Sequence, residues 1–346
     1  MQAEYAEELA TIRDQARRFL ENQATPEHLK SLLERPGNFD HNLWRGAVEQ
    51  GWTGVAVPPE ADGLGLGQRG LGLLCEELGR VTASLPLIAN SLAVRALLQA
   101  DAQLHAACIQ ALASGDGIAC LAFAAPDDSG LGASASARVQ DGRLSGDKAL
   151  AAFASIAECA LVQAVDEQGP GLYLVYLEQA GVKRHPVEGF DNARASAALS
   201  FDEVPAIRLG GQEALADITA LAALATAFEQ LGGAQACLDL ACSYALERKA
   251  FGQAIGGFQG IKHKLAEMYC QLEIARGCAN DALDAWEENL PSRQALAATA
   301  RLGATRAYDY AAQECLHVHG GMGVTWEAMP HHFYLSLIHI SEPTRP

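Results

Sequence analysis

The 346-residue chain is short of positive charge. Its 25 lysines and arginines face 42 aspartates and glutamates, for a formal net charge of −17. A surface of that sign repels phosphate backbones and argues against general nucleic-acid binding. Long apolar runs are missing too, and none approaches the roughly 18 residues of a membrane span. The opening residues, MQAEYAEELATIRDQ, have neither the basic start nor the apolar centre of a secretory signal, so a cytoplasmic protein is expected. The nine cysteines show no CxxC and no paired spacing, which excludes a recognisable zinc site or disulfide framework. They read as small buried hydrophobes under reducing conditions. There is no GxSxG, and no strand precedes a GxGxxG or GxxxxGK pattern, so hydrolase, Rossmann and Walker readings have no support. Neither a fixed-period repeat nor a low-complexity linker is present.

What is there suits a large globular interior. Hydrophobic residues make up 49% of the chain and charged residues 19%, and the length fits two or three packed units. The first third is helical in pattern: Tyr5, Leu9, Ile12, Ala16 and Phe19 recur at helical spacing. Asp101 is placed to cap a later helix that Gly115 stops. From about Asp116 the pattern changes to short runs bounded by Gly, Asp and Pro (GIACLAF, ECALVQAV, GLYLVYL and SAALSFD), which predict strands. Helical periodicity returns after GGQEALAD. Ile261, Leu265, Met268, Leu272, Ala275, Ala279, Leu283 and Trp286 form one stripe, and Pro291 with Ser292 ends that helix and caps the next. The expected organisation is a helical domain over 1–115, a small β domain over 116–211 and a helical bundle over 212–335.

Two glycine clusters interrupt the helices. RKAFGQAIGGFQGIKH, Arg248 to His263, breaks an Ala/Leu-rich helical region with four glycines, beside an arginine and two phenylalanines. Glycine permits a sharp exit and re-entry, and the N–H groups at the start of the new helix favour an anionic ligand. Arg248 could fork onto a phosphate. A plain helical hairpin with an arginine at a helix C-terminus is the simpler alternative. The second cluster, LHVHGGMGVTWE, again follows a long helix. His317 and His319 are two apart and so point to different helix faces, with no Cys or carboxylate at ligand spacing, so no metal site is expected. A simple helix C-cap is the alternative there.

Taken together, RKAFGQAIGGFQGIKHKLAEM (Arg248–Met268), HGGMGVTWE (His319–Glu327) and GWTGVAVPPEADGLGLG followed by EELGR resemble the acyl-CoA dehydrogenase family over nearly the whole chain. The resemblance implies a mainly α fold: an N-terminal helical domain, a central β domain and a C-terminal four-helix bundle. It also implies non-covalent FAD held between subunits of a dimer or tetramer. By motif position, Arg248 would meet the pyrophosphate, Phe251 would pack on the cofactor and Gln259 would reach its nucleotide portion. His317, Gly320 and Gly321 would receive the adenosine diphosphate part. The implied reaction is α,β-dehydrogenation of an acyl-CoA thioester, with electrons passed to an electron-transfer flavoprotein. The α-proton is only weakly acidic, so a base must stand beside the thioester.

The sequence departs from the family in three places. The loop before the second strand reads AFAAPDDSGLGAS, keeping Pro126 but not the family's Thr-Glu, and the run after GDK reads ALAAFASIAECA, without the usual aromatic and hydroxyl. No Tyr-Glu-Gly segment carries a base beyond the glycine turn. The other position the family uses, on the first long bundle helix, corresponds to Ala222. Asp217 and Glu229 lie on that run and are expected to be a helix cap and a satisfied buried group, so no catalytic residue is assigned. Finally, residues 336–346, SLIHISEPTRP, read as sequence foreign to the fold, such as an assembly scar. An alternative function follows from these departures: a non-catalytic partner subunit of a heteromeric acyl-CoA dehydrogenase, contributing half of a flavin site. Small residues in ITALAALATA hint at room for a branched or ring-bearing acyl group. A nucleic-acid-binding or nitroalkane-oxidising relative on the same scaffold rests on fold analogy alone.

Overall fold

The computed structural model describes residues 2–33, 39–126, 136–187 and 192–341. Helices come first: α1 (Gln2–Gln23), α2 (Pro26–Leu33), α3 (His41–Glu49), α4 (Gly67–Arg80), α5 (Leu87–Asp101) and α6 (Ala106–Ser114). Strands follow: β1 (Ala119–Ala122), β2 (Ala137–Gln140), β3 (Arg143–Ala151), β4 (Cys159–Asp166), β5 (Gly169–Tyr176), β6 (Val182–Pro186), β7 (Ala197–Pro205) and β8 (Ile207–Gly210). Helix returns with α7 (Gln212–Glu247), then a short hairpin of β9 (Lys249–Ala250) and β10 (Gln253–Ala254). The helices α8 (Gln259–Glu287), α9 (Arg293–His319) and α10 (Pro330–Ser341) complete the described chain. The protein is thus mainly α around a central sheet. Its elements cluster into two compact units, one of Lys30–Leu71 and Ser84–Ala222, the other of residues up to Leu29, Gly72–Ala83 and the chain from Ala223.

In the unit that holds the sheet, strand order is β6-β7-β3-β2-β4-β5-β8, with β1 added parallel to β4. The central strands β4 and β5 are buried on both faces, which is why CALVQAV and LYLVY read as continuous apolar runs. Asn90 on α5 fixes the entry to the sheet. Wholly buried, it donates from Nδ2 to the carbonyls of Leu112 (3.3 Å) and Gly117 (2.9 Å) and accepts from the Ala119 N–H at 2.8 Å. All three bonds of this buried amide are therefore directed at one junction. Gly115 ends α6 at φ +76°, as expected of a left-handed stop. Asp101 behaves otherwise: it is the last residue of α5, and its Oδ1 accepts from the Gln103 and Leu104 N–H groups, closing a turn before α6 begins at Ala106.

The helical unit depends on close backbone approach. A Cβ on Gly79 of α4 would lie 1.8 Å from the Glu229 carbonyl oxygen, and one on Gly232 of α7 would lie 1.9 Å from that of Glu76. α4 and α7 therefore cross with glycine on both sides. Glu76 and Glu77, on the same turn, tie in two further helices. Arg17 of α1 forks onto Glu77 at 2.9 and 2.7 Å, and Arg276 of α8 reaches Glu76 at 2.5 Å. With Glu77 only 2% exposed, its charge is compensated by that fork. α8 buries Met268, Leu272, Ala275, Ala279, Leu283 and Trp286 of the stripe expected from periodicity against an alanine-lined α9, while Ile261 and Leu265 near its start are only partly buried. Ser292 stands at the N-cap of α9, but its side chain makes no capping bond.

Two expectations change. Asp217 lies six residues into α7, which starts at Gln212, so it is not a cap. Helical backbone also continues to Ser341, and Ser336 and Leu337, in the segment expected to be foreign to the fold, are buried. Residues 342–346, with Pro343 and Pro346, lie outside the described residues. By length and composition α7 could cross a bilayer, but 56% of its most apolar 18-residue stretch is buried in the protein, as befits a core helix.

Candidate cofactor site

The broken helix of the sequence is a tight hairpin. Lys249–Ala250 pairs antiparallel with Gln253–Ala254, and Phe251 (φ +50°) with Gly252 (φ +84°) forms the two-residue turn. Two consecutive positive φ values match the turn type whose twist suits a hairpin. For Phe251 that conformation costs about 1–2 kcal/mol, and the same residue is 97% exposed. Its ring meets Phe258 edge-on at 6.2 Å. The Ile255 N–H donates to the Arg248 carbonyl at 2.8 Å and closes the loop, and α8 starts at Gln259 with no side chain capping it. Arg248 itself is exposed, and among the described residues its side chain forms no ion pair. A strained, exposed phenylalanine, an arginine without an ion pair among the described residues and an open helix N-terminus thus lie between Arg248 and Gln259. A helix N-terminus carries partial positive charge, so the loop offers two attractions for an anion.

The second glycine cluster folds beside the end of α7. His319 stacks on Tyr244 at 4.2 Å and 25°, and the Arg248 N–H donates to the Tyr244 carbonyl at 2.9 Å. One stacking contact therefore links the turn after α9 to the residue that precedes the hairpin. His319 Nδ1–H donates to the Cys315 carbonyl at 2.8 Å. Burial lowers the pKa of His319, but its bonds to the Cys315 sulfur and carbonyl outweigh burial and raise it overall. Gly320 leaves the helix at φ +59°, and a Cβ on either Gly320 or Gly321 would meet nothing within 4 Å. Open space over two exposed glycines leaves their backbone accessible. Gly323 differs: a Cβ there would press to 2.8 Å on the Leu316 carbonyl, so it is a packing glycine.

His317 points away from this stack. Its Nδ1 lies 3.2 Å from Glu314 Oε1, and Glu314 also takes the ammonium of Lys264 from α8. Burial pushes the Glu314 pKa up, and the hydrogen bonds from Lys264 and His317 more than reverse it, leaving a carboxylate below its usual range. Glu314 thus holds His317 in place and locks α8 to α9. The sequence pointed to Arg248, Phe251, Gln259, His317, Gly320 and Gly321 as candidates, but not to Tyr244, Lys264 and Glu314, which contact them or their neighbours. Only their spacing of one helical turn from motif residues could have signalled them. Among the described residues, no group of three His, Cys, Asp or Glu side chains is placed to hold a metal.

The sheet offers less. The end of β3 after Lys148 presents Ala149, Leu150 and Ala151, followed by Ala152, none with a side chain that hydrogen-bonds. Ala222, in the first third of α7, is half-buried and its side chain has no proton to exchange. Residues 127–135 lie outside the described residues.

Comparisons with known proteins bear on this arrangement. The N-terminal domain of acyl-CoA dehydrogenases matches residues 6–116 and the C-terminal domain matches residues 211–337. The chain is 30% identical to the acyl-CoA dehydrogenase IpdE2 of Mycobacterium tuberculosis, over 95% of this chain and 90% of that protein. A structure described as the Tcur3481-Tcur3483 steroid ACAD G363A variant superposes with a TM-score of 0.92 at 30% identity, covering 98% of this chain and 94% of the other. The ChsE4-ChsE5 complex from Mycobacterium tuberculosis superposes at 0.89 with 25% identity, covering 96% and 92%.

Proposed function

The chain belongs to the acyl-CoA dehydrogenase family, and from that premise we propose that it works in an assembly that removes hydrogen from the α and β carbons of an acyl-CoA thioester. FAD, when bound, supplies the acceptor for the β-hydride, and an electron-transfer flavoprotein is the expected onward carrier. This chain's part is to hold the cofactor's anionic half. Arg248 binds the pyrophosphate through a charge-assisted fork, aided by the open N-terminus of α8, with Gln259 at its first residue reaching the nucleotide. Phe251 packs on the cofactor, and the exposed backbone of Gly320 and Gly321 receives the adenosine diphosphate beside His317, which Glu314 steadies. The carrying observation is the hairpin, where the Arg248 side chain forms no ion pair among the described residues and Phe251 at the tip is 97% exposed.

Association completes the reading. Leu246, Tyr269, Ile274 and Leu302 stand 55–75% exposed on α7, α8 and α9, a set of apolar side chains that a second subunit would cover. A dimer or tetramer is expected, with the hairpin at its interface. Light scattering tests this: a monomer that retains stoichiometric FAD overturns it.

A specific observation favours a second form of the same function. The run Ala149–Ala152 cannot hydrogen-bond a flavin through its side chains, and Ala222 supplies no base to take the α-proton. Both fit a non-catalytic subunit that lends its cofactor half to an active homologue, and one of the similar structures is described as a complex, ChsE4-ChsE5. The steroid description of one of them, and the small side chains Thr219, Ala222, Ala223 and Thr226 along α7, support a bulky, ring-bearing acyl group. The deciding experiment is anaerobic addition of short, branched and ring-bearing acyl-CoAs to the purified chain, alone and with a homologous partner. Bleaching only with the partner establishes the second form; rapid bleaching alone establishes a complete enzyme.

A further inference from the structure

His319 is the last residue of α9, and its imidazole is held from two directions. The ring lies 4.2 Å from that of Tyr244 at 25°, a near-parallel stack. Its Nδ1 stands 2.8 Å from the Cys315 carbonyl, one helical turn back, and 3.8 Å from the Cys315 sulfur. A carbonyl can only accept, so Nδ1 carries a hydrogen whether the ring is neutral or charged. Nε2 is therefore the atom that gains and loses a proton. The next two residues, Gly320 and Gly321, are the open backbone beside which the anionic half of the cofactor was placed above. A charge on this ring stands next to them in sequence and space. The charged form is favoured by the face of Tyr244, which attracts a cation, and by the C-terminus of α9, which carries partial negative charge.

We propose, resting on the cofactor reading above, that His319 is a pH-sensitive positioning residue, its imidazolium tightening the hold on FAD and its neutral form loosening it. The same stack carries the change to the hairpin, because the Tyr244 carbonyl accepts the Arg248 N–H at 2.9 Å. Burial lowers the His319 pKa, and the bonds to the Cys315 sulfur and carbonyl raise it by more, so the ring titrates above the ordinary histidine value. The groups facing the ring are Tyr244 from α7, Cys315 from its own helix, and the turn Gly320–Val324, which has no titratable side chain. Among the described residues, α8 and α10 also pack on α9 but present no charged side chain that acts on the ring. An anion bound beside the ring raises its pKa further. By linkage, FAD affinity is then greatest where the ring is protonated and falls as pH rises through its value in the free protein. Glu314, held below the usual carboxylate range, stays charged throughout that window and adds no slope.

The intact protein is titrated with FAD by flavin fluorescence from about pH 6 to about pH 9, the range that brackets a histidine. The dissociation constant should rise about fivefold across it, the size of one partly screened charge pair. His319→Gln should show the weaker affinity at every pH, and His319→Lys, with a permanent charge, the tighter one. Followed by NMR, the His319 ring should titrate at higher pH with FAD bound than without it. FAD binding with a flat pH profile, a slope that survives in His319→Gln and so belongs to His317, or a His319 signal indifferent to FAD would each overturn the proposal and leave the cofactor reading standing. No FAD binding at any pH would overturn both.

Discussion

The hairpin and glycine turn of the helical unit differ sharply from the end of β3 in the sheet unit. In the first, nearly every feature is better suited to holding something than to folding: an arginine without an ion pair among the described residues, an exposed phenylalanine at positive φ, open glycines and an uncapped helix. In the second, the corresponding family surface has become plain alanine and leucine, well suited to folding and poor at holding anything. A local motif that costs stability persists where a ligand recovers the cost. Where no ligand is held, the chain is free to revert to residues that merely pack. The difference between the two regions is therefore evidence about which of them touches a cofactor.

The largest expected effect breaks the comparison at the level of turnover. If the sheet side and Ala222 supply neither flavin contacts nor a base, the chain alone should reduce flavin roughly 10²–10⁴-fold more slowly than with a homologous partner. Stopped-flow bleaching with ring-bearing acyl-CoA measures it, and equal rates would remove the asymmetry. Next comes a change that weakens the helical unit without touching its motifs. Arg17→Met strands the buried carboxylate of Glu77 and should cost about 3 kcal/mol of stability, read by denaturant melts at unchanged m-value. Arg248→Ala follows, with a loss of about 2 kcal/mol in FAD binding, roughly thirtyfold in Kd, by flavin titration.

Two smaller effects sharpen the contrast. Glu314 has a depressed folded-state pKa, so its contribution is present above the ordinary carboxylate range and is lost as pH falls through its folded value. The wild-type minus Glu314→Gln stability difference should be at most about 1 kcal/mol near neutrality and vanish in acid, as Tm against pH would record. Ala152→Thr restores a hydroxyl on the sheet side and should leave flavin affinity within about 0.5 kcal/mol, as surface changes usually do. A marked gain would mean that the sheet side does face the cofactor.

Much of this was legible in the sequence because its signals are local. The stripe from Ile261 to Trp286, the stop at Gly115 and the two glycine clusters each depend on spacing within a turn or two. β3 was not legible, because RLSGDKALA carries two cations, an aspartate and a glycine and is held by its neighbours on both sides rather than by its own propensity. Asp101 was misplaced by one turn, since its side chain satisfies the same N–H groups in a loop as in a cap. His317 and His319 illustrate the limit: the motif shows two histidines, and only tertiary packing decides that one stacks on Tyr244 and the other leans on Glu314.

Phe251 has one more consequence, in the protein's response to its surroundings. A side chain 97% exposed at a strained turn leaves the folded chain with a deficit that only a binding partner removes. Whatever covers it, cofactor or second subunit, binds the folded state and not the unfolded one. Melting temperature then ceases to be a property of the sequence and becomes a function of composition. It should rise with added FAD and with protein concentration, by an amount equivalent to about 2.7 kcal/mol when free ligand stands at a hundred times its Kd.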